Sequence, residues 1–382
     1  MKMKLRRFNK LGLLKRVRRE LLARFLDQFQ DDLESLGIAV DNHLSDNDYY
    51  HSLARMLMAP EWLPDRLNEA LYAIDEMSLP EGREQLTRAQ SNPTALPADT
   101  SDEEAALLMW LEQPQLLARL HNQQRLSRLS AFDYYGASRP NPAFEEVTEA
   151  MLAGLTQGLD AWFARHSRGQ QAVRLEVYPV EGEYWFLIRH GDTFTRTPTV
   201  DRQRTEVMHF RPEKDDVVVY SPEQDEIRVN ARTRGERELY VEEFGFWLRG
   251  RRDYFCEREP YTLEPLRTDG PDALEAGDVE GISQITLRGV EVALDNEFHE
   301  VCRREADDLF QCGAGQSEPA VIPRDGELTR AAFEVRFKDS AKPRQVQIRL
   351  PNTLKVSRHA DACCVNRWLL RRGFRRGRER GA

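Results

Sequence analysis

Side chains equipped for chemistry fall in a few places along the chain. Leu187-Ile188-Arg189-His190-Gly191-Asp192-Thr193 sets a guanidinium beside an imidazole and close to a carboxylate. Asn230-Ala231-Arg232-Thr233-Arg234-Gly235-Glu236-Arg237 runs from an expected strand into an expected helix. Backbone N–H groups at such a start, with Arg232, Arg234 and Arg237 alongside, make a candidate anion site. The segment lacks the second glycine and the lysine of a P-loop, so nucleotide hydrolysis is not implied. His299, Cys302 and Cys312, then His359, Cys363 and Cys364, are of metal-ligating type. None forms a Cys-x-x-Cys pair, so they are expected to be buried, inert thiols, with no metal and no cofactor. Glu334 and Lys338 share a strand at the wrong spacing for a nuclease pair, and no Gly-x-Ser-x-Gly, His-Glu-x-x-His or dinucleotide fingerprint occurs.

The Leu187–Thr193 run resembles the Arg-His-Gly signature of the histidine phosphatases. The resemblance implies that His190 is a phosphorylated nucleophile and that Arg189 holds phosphate. It covers seven residues, and Asp192 stands where that family usually has Glu or Gln. The residues themselves also allow a plain β-turn in which Gly191 supplies a positive φ.

Charge is distributed unevenly. Met1–Arg24 carries +9 and Arg367–Ala382 carries +6, so in a chain of net charge −9 the body Phe25–Asn366 carries −24. An acidic body is a poor surface for a phosphate backbone, which leaves the basic ends as the expected contact for nucleic acid or an acidic partner. At the C-terminal end Arg358, Arg367, Arg371, Arg372, Arg375 and Arg376 are the candidate nucleic-acid-binding residues, on or just beyond an amphipathic helix expected over Arg358–Arg372. No apolar run reaches the roughly 20 residues of a membrane span. Met1–Arg24 lacks the apolar core of a secretory signal, and five scattered cysteines fit a reducing compartment; the chain is expected to be cytoplasmic.

The elements that must position these residues read as α+β. Leu11–Leu36 has the apolar spacing of one long helix, followed by helices over Asp46–Met58 and Pro64–Met77. Pro80–Thr100 reads as a linker, and Ser101 with Glu104 as a capping box opening the next helix. Phe132–Pro142 is expected to break the helices, and Asn141-Pro142 to start one that ends near Arg165. From Val173 to Ala231, period-two runs alternate with turns, the pattern of an antiparallel meander. Arg234–Leu248 is expected to be helical, and Tyr261–Leu266, Ile282–Leu287 and Val290–Leu294 to be strands. Phe298–Phe310 reads as a short strand then a short helix, and Phe333–Phe337 with Val346–Leu350 as a hairpin.

Three regions follow: a helical domain over residues 1–170, an antiparallel β-rich α+β domain over 171–350, and a C-terminal helix with an Arg-rich tail over 351–382. No complete catalytic set emerges, so the function expected is a non-catalytic binding or assembly subunit. Its body would meet a protein partner and its basic ends nucleic acid or an acidic partner. The alternative is a phosphate-ester hydrolase built on Arg189 and His190 or on the Arg232–Arg237 helix start.

Overall fold

The computed structural model describes residues 8, 10–39, 41, 43–58, 63–89, 100–127, 129, 131–138, 144, 146–180, 182–201, 204–257, 260–313, 322–323, 325–338, 340, 342–356 and 361–376. The chain is α+β and divides into two compact units, Met1–Leu126 and Ser127–Ala382.

The first unit is helical: α1 (Leu11–Leu14), α2 (Arg19–Asp27), α3 (Gln30–Ser35), α4 (Asp46–Met56), α5 (Asp65–Met77), α6 (Pro80–Ala89), α7 (Asp102–Glu112) and α8 (Pro114–Ser127). Phe25 and Phe29 meet Trp110 edge-on and stacked, at 5.0 and 5.6 Å, inside a core that also takes in Leu67, Leu71 and Ile74. The single helix expected over Leu11–Leu36 is three pieces. Arg18 is extended, and its backbone N–H donates to Glu104 Oε1 at 2.7 Å rather than to the preceding turn, which ends one piece and starts the next. The same bond leaves the expected capping box half made: Ser101 accepts from the Glu104 N–H, but the Glu104 carboxylate is turned to Arg18. Part of the expected linker, Pro80–Ala89, is helix α6, and residues 90–99 lie outside the described residues.

The second unit is built on β1 (Ala131–Ala137), β2 (Arg174–Val180), β3 (Glu183–Gly191), β6 (Glu213–Ser221), β7 (Glu226–Asn230), β8 (Phe255–Glu257), β9 (Ile282–Ala293), β10 (Val301–Glu305), β11 (Glu327–Phe337), β12 (Arg344–Arg349) and β13 (Thr353–Val356). They pair antiparallel in the order β10-β9-β11-β12-β13-β1-β7-β6-β3-β2, with β8 on the β13 edge of β1. A separate ribbon, β4 (Thr195–Asp201) with β5 (Arg204–Phe210), is inserted between β3 and β6. The helices are α9 (Glu149–Arg165), α10 (Arg234–Arg249), α11 (Pro265–Thr268), α12 (Leu309–Gly313) and α13 (Ala362–Arg371). The strand-then-helix reading of Phe298–Phe310 corresponds to β10 and α12.

Several expectations are corrected here. Phe132–Pro142 was to be a breaker, yet Ala131–Ala137 is a central strand, with Phe132 and Tyr134 buried on one face between β7 and β13. Helix α9, placed by sequence with the helical front, packs on the sheet; it starts at Glu149 with Thr148 as cap, and Asn141 and Pro142 lie outside the described residues. Tyr261–Leu266 is a single bridge at Tyr261 followed by α11, because Pro265 has no N–H for a ladder but suits the first helical turn. The two strands expected across Ile282–Leu294 are one, β9.

Helices cover the sheet unevenly. Leu155, Leu159 and Phe163 of α9 and Leu239, Tyr240 and Phe244 of α10 bury one face of β2, β3, β6 and β7 against Phe186, Ile188 and Val218. Helix α13 sits at the other end on the opposite face, where Trp368 meets Phe333 at 5.2 Å. The strand register puts Gln347, Arg349, Thr353 and Lys355 on the face of β12 and β13 that continues the α9–α10 side, away from the core.

Candidate functional site

That face, with α10 as its wall, is a concavity of the second unit. A cavity of about 1100 Å³ runs over β1, β7, β12 and β13 against α10, and one of about 790 Å³ runs over β10, β11 and β12. Gln347 and Lys355 line both, so the two are one trough. Period two in the strands explains its character. Val346, Ile348 and Leu354 turn into the core, which sends Gln347, Arg349, Thr353 and Lys355 to the trough.

The trough carries an ordered polar floor. Asp133 accepts from Thr353 Oγ1 at 2.6 Å and faces Arg237 Nε at 3.1 Å. Arg330 donates to Gln347 Oε1 at 2.9 Å and lies 3.7 Å from Glu291. Arg288 meets Asp307 at 2.8 Å, and Arg303 Nε donates to Glu305 at 2.9 Å. Arg349 and Lys355 differ. Both are exposed, they stand diagonally across the β12–β13 pair, and among the described residues neither makes an ion pair or a side-chain hydrogen bond. Eight basic side chains against six acidic ones line the trough, a local excess of positive charge on a chain of net charge −9. Arginine predominates among those cations, and its planar fork suits two-point bonding to carboxylate or phosphate.

The histidine run folds differently from what its sequence suggests. Arg189 and His190 are successive strand residues and point to opposite faces. Arg189 donates to Glu176 at 2.7 Å and lies 3.5 Å from Asp215. His190 is 1 % exposed, stacked on Phe163 at 4.0 Å, with Nε2 3.0 Å from Asp216 and Nδ1 2.9 Å from the Gly191 carbonyl. A phosphate ester has no approach to that ring. Nor is Gly191 a positive-φ turn residue. It lies in β3, and a Cβ on it would sit 2.1 Å from the Arg168 carbonyl oxygen, so close approach of backbone is what requires the glycine.

His190, Asp216 and Glu236 are the one group among the described residues whose ligand atoms lie near enough to share a metal ion. Lys214 already stands between the two carboxylates, 3.2 Å from Asp216 and 2.7 Å from Glu236, and Tyr240 donates to Asp216 at 2.8 Å. The ammonium supplies the positive charge that a metal would otherwise bring. Glu236 is held below the usual carboxylate value: burial opposes this, but the hydrogen bonds from Lys214 and the Thr233 N–H outweigh it. Tyr240 is pushed well above the usual phenol value by burial and by the adjacent Asp216.

The expected anion site at the start of α10 is filled from within. Thr233 and Glu236 form a reciprocal capping box, so the anion at this helix start is its own Glu236. Arg234 pairs with Glu238 at 2.6 Å, Arg237 with Asp133, and Arg232 lies 3.9 Å from Asp192. Of the C-terminal arginines, Arg371 and Arg372 meet Asp278, and Arg375 bonds both oxygens of Glu226 at 3.0 and 2.8 Å while lying over Tyr134. Arg367 and Arg376 are exposed, and Arg358 and residues 377–382 lie outside the described residues. The two arginine groups are thus largely engaged by acids of their own chain. Arg349 and Lys355, which are not, were not singled out from sequence, although their alternation with buried Ile348 and Leu354 marks them as a solvent face.

Among the described residues, no helix is long and apolar enough to cross a membrane. Comparison with known proteins finds no family model that matches the chain, and no curated protein matches it.

Proposed function

We propose that the chain is a binding or assembly subunit that receives an acidic segment of a protein partner along the trough, its role being binding rather than catalysis. The observation that carries this reading is the pair Arg349 and Lys355, two cations that have no partner among the described residues, on an ordered polar floor. Shape supports it as well. Seven strands, β10 to β7, lie under the trough, and at about 4.8 Å each they give a path of about 29 Å, room for about nine extended residues. An acidic polypeptide fits better than single-stranded nucleic acid, because the lining aromatics Phe132, Phe255 and Phe333 are buried and Tyr135, half-buried, is packed against the core, which leaves no row of open rings for stacking bases. A long polyanion would also have to lie beside a body of charge −24, which a short acidic segment avoids.

The test is fluorescence anisotropy with a labelled Glu/Asp-rich peptide of about nine residues, with duplex and single-stranded DNA as competitors. Binding is expected to weaken as salt rises, and to fall at least about tenfold in an Arg349→Glu, Lys355→Glu double variant. DNA that binds more tightly, with loss on deleting Arg367–Ala382 and none in the double variant, would move the contact to the basic tail. Absence of peptide binding at low salt would sink the reading.

A further inference from the structure

The strand register lines up two rows of side chains across the floor of the trough. One row is Glu291, Arg330, Arg349, Thr353 and Asp133, on β9, β11, β12, β13 and β1 in turn. The next, on the same strands, is Gly289, Ala332, Gln347, Lys355 and Ala131. Arg330 and Arg349 are therefore directly opposed, and like charges so placed destabilise a sheet. The acids at the ends of that row leave the surplus in its middle. Glu291 lies 3.7 Å from Arg330, and Asp133 is taken by Arg237 and by the Thr353 hydroxyl. Lys355 adds a further cation on the diagonal from Arg349, about 7–8 Å away. Gln347 stands among the three. Its Oε1 accepts from Arg330, and since arginine only donates, this fixes the amide and leaves the NH2 group for another acceptor. Among the described residues that group donates to nothing. Ala332 and Ala131 flank Gln347 and Lys355 in the second row and leave space beside them.

We infer that the segment taken up by the trough carries a phosphoserine or phosphothreonine, whose phosphate is held by Arg349, Lys355 and the Gln347 amide, with Arg330 behind them. The subsite has this role only if the trough takes up a polypeptide, as proposed. Charge and acceptor count select phosphate over carboxylate. A carboxylate brings one negative charge and two oxygens, whereas a phosphate monoester at neutral pH brings about −1.5 to −2 and three oxygens. Only the phosphate can meet two cations and a neutral donor at one point, and the fork of Arg349 suits two-point bonding to it. The rest of the trough is already compensated. Arg234, Arg237, Arg252, Arg288 and Arg303 each have an acid of this chain. The charge that a ligand must supply is thus concentrated at one place rather than spread along the segment.

Anisotropy on the full chain tests this with three labelled peptides. They share a Glu/Asp-rich sequence of about nine residues and differ only in serine, glutamate or phosphoserine at the centre. The phosphoserine peptide is expected to bind at least about tenfold more tightly than the glutamate one. That gain should fade as pH falls through about 6, where the phosphate takes up its second proton, while the glutamate peptide keeps its affinity. Gln347→Ala with Lys355→Ala should bring the two to equal affinity. Acidic peptides that bind without any gain from phosphorylation overturn the inference and leave the peptide site standing. If none of the three binds, the peptide site goes and the subsite with it. A gain that survives the Gln347→Ala, Lys355→Ala variant also overturns the inference, because the phosphate would then sit elsewhere. So does inorganic phosphate or free phosphoserine that displaces the phosphopeptide as effectively as unlabelled phosphopeptide, since the ligand would then be a small phosphate.

Discussion

Lys214 shows how a single side chain decides what its neighbours can do. Placed between Asp216 and Glu236, it turns a group of metal-ligand type into a buried ionic network, and with Tyr240 and Phe163 it closes His190 off. The network ties stability to pH, and the sign follows from Glu236. Its folded value lies below the 4.5 of an unfolded chain, so the stability it contributes is complete above about pH 4.5 and is lost as pH falls through the folded value. Glu236→Gln is expected to lower stability near neutral pH by about 3 kcal/mol and to flatten the acid limb. Denaturant unfolding at pH values on either side of that range measures both, and an acid limb as steep as in the unaltered protein would refute the assignment. The motif around His190 was legible as residue types, but its chemistry was not, because Asp216 and Glu236 come from other elements.

Among elements, the α9–α10 pair holds the wall of the trough in place. Gly154 lets the helices close: a Cβ there would lie 2.2 Å from the Trp247 ring. Gly154→Val is therefore expected to force the indole out and to cost about 1–3 kcal/mol, read by thermal unfolding together with Trp fluorescence. A variant as stable as the parent would mean that the ring has somewhere else to go. Helix α10 itself was readable from sequence, since its apolar residues recur at helical spacing and Gly250 stops it in the left-handed region at φ 77°. Strand β1 was not. Seven residues interrupted by Gly136 carry too short an alternation to announce a strand, and the partners that make it one, β7, β8 and β13, begin some 90 to 220 residues later.

At the scale of the whole molecule, each compact unit has an apolar core of its own. Residues 127–382 produced alone are expected to unfold cooperatively and to bind the acidic peptide as the full chain does, checked by a circular-dichroism melt and the same anisotropy titration. A fragment that is folded yet does not bind would show that the first unit contributes to the contact. Local order was set by the sequence: the apolar periods, the capping residues and the turn residues yield the helices of the front, the antiparallel β-rich region and the closing helix, because these depend on neighbours a few residues away. Which cations stay unpaired was decided only by tertiary structure. Asp278 reaches Arg371 and Arg372, Glu226 reaches Arg375, and Asp133 reaches Arg237 across 93 to 149 residues of chain, while the strand pairing that brings Arg349 and Lys355 together offers them no acid. Charge complementarity acts through space, and position along the chain does not reveal it.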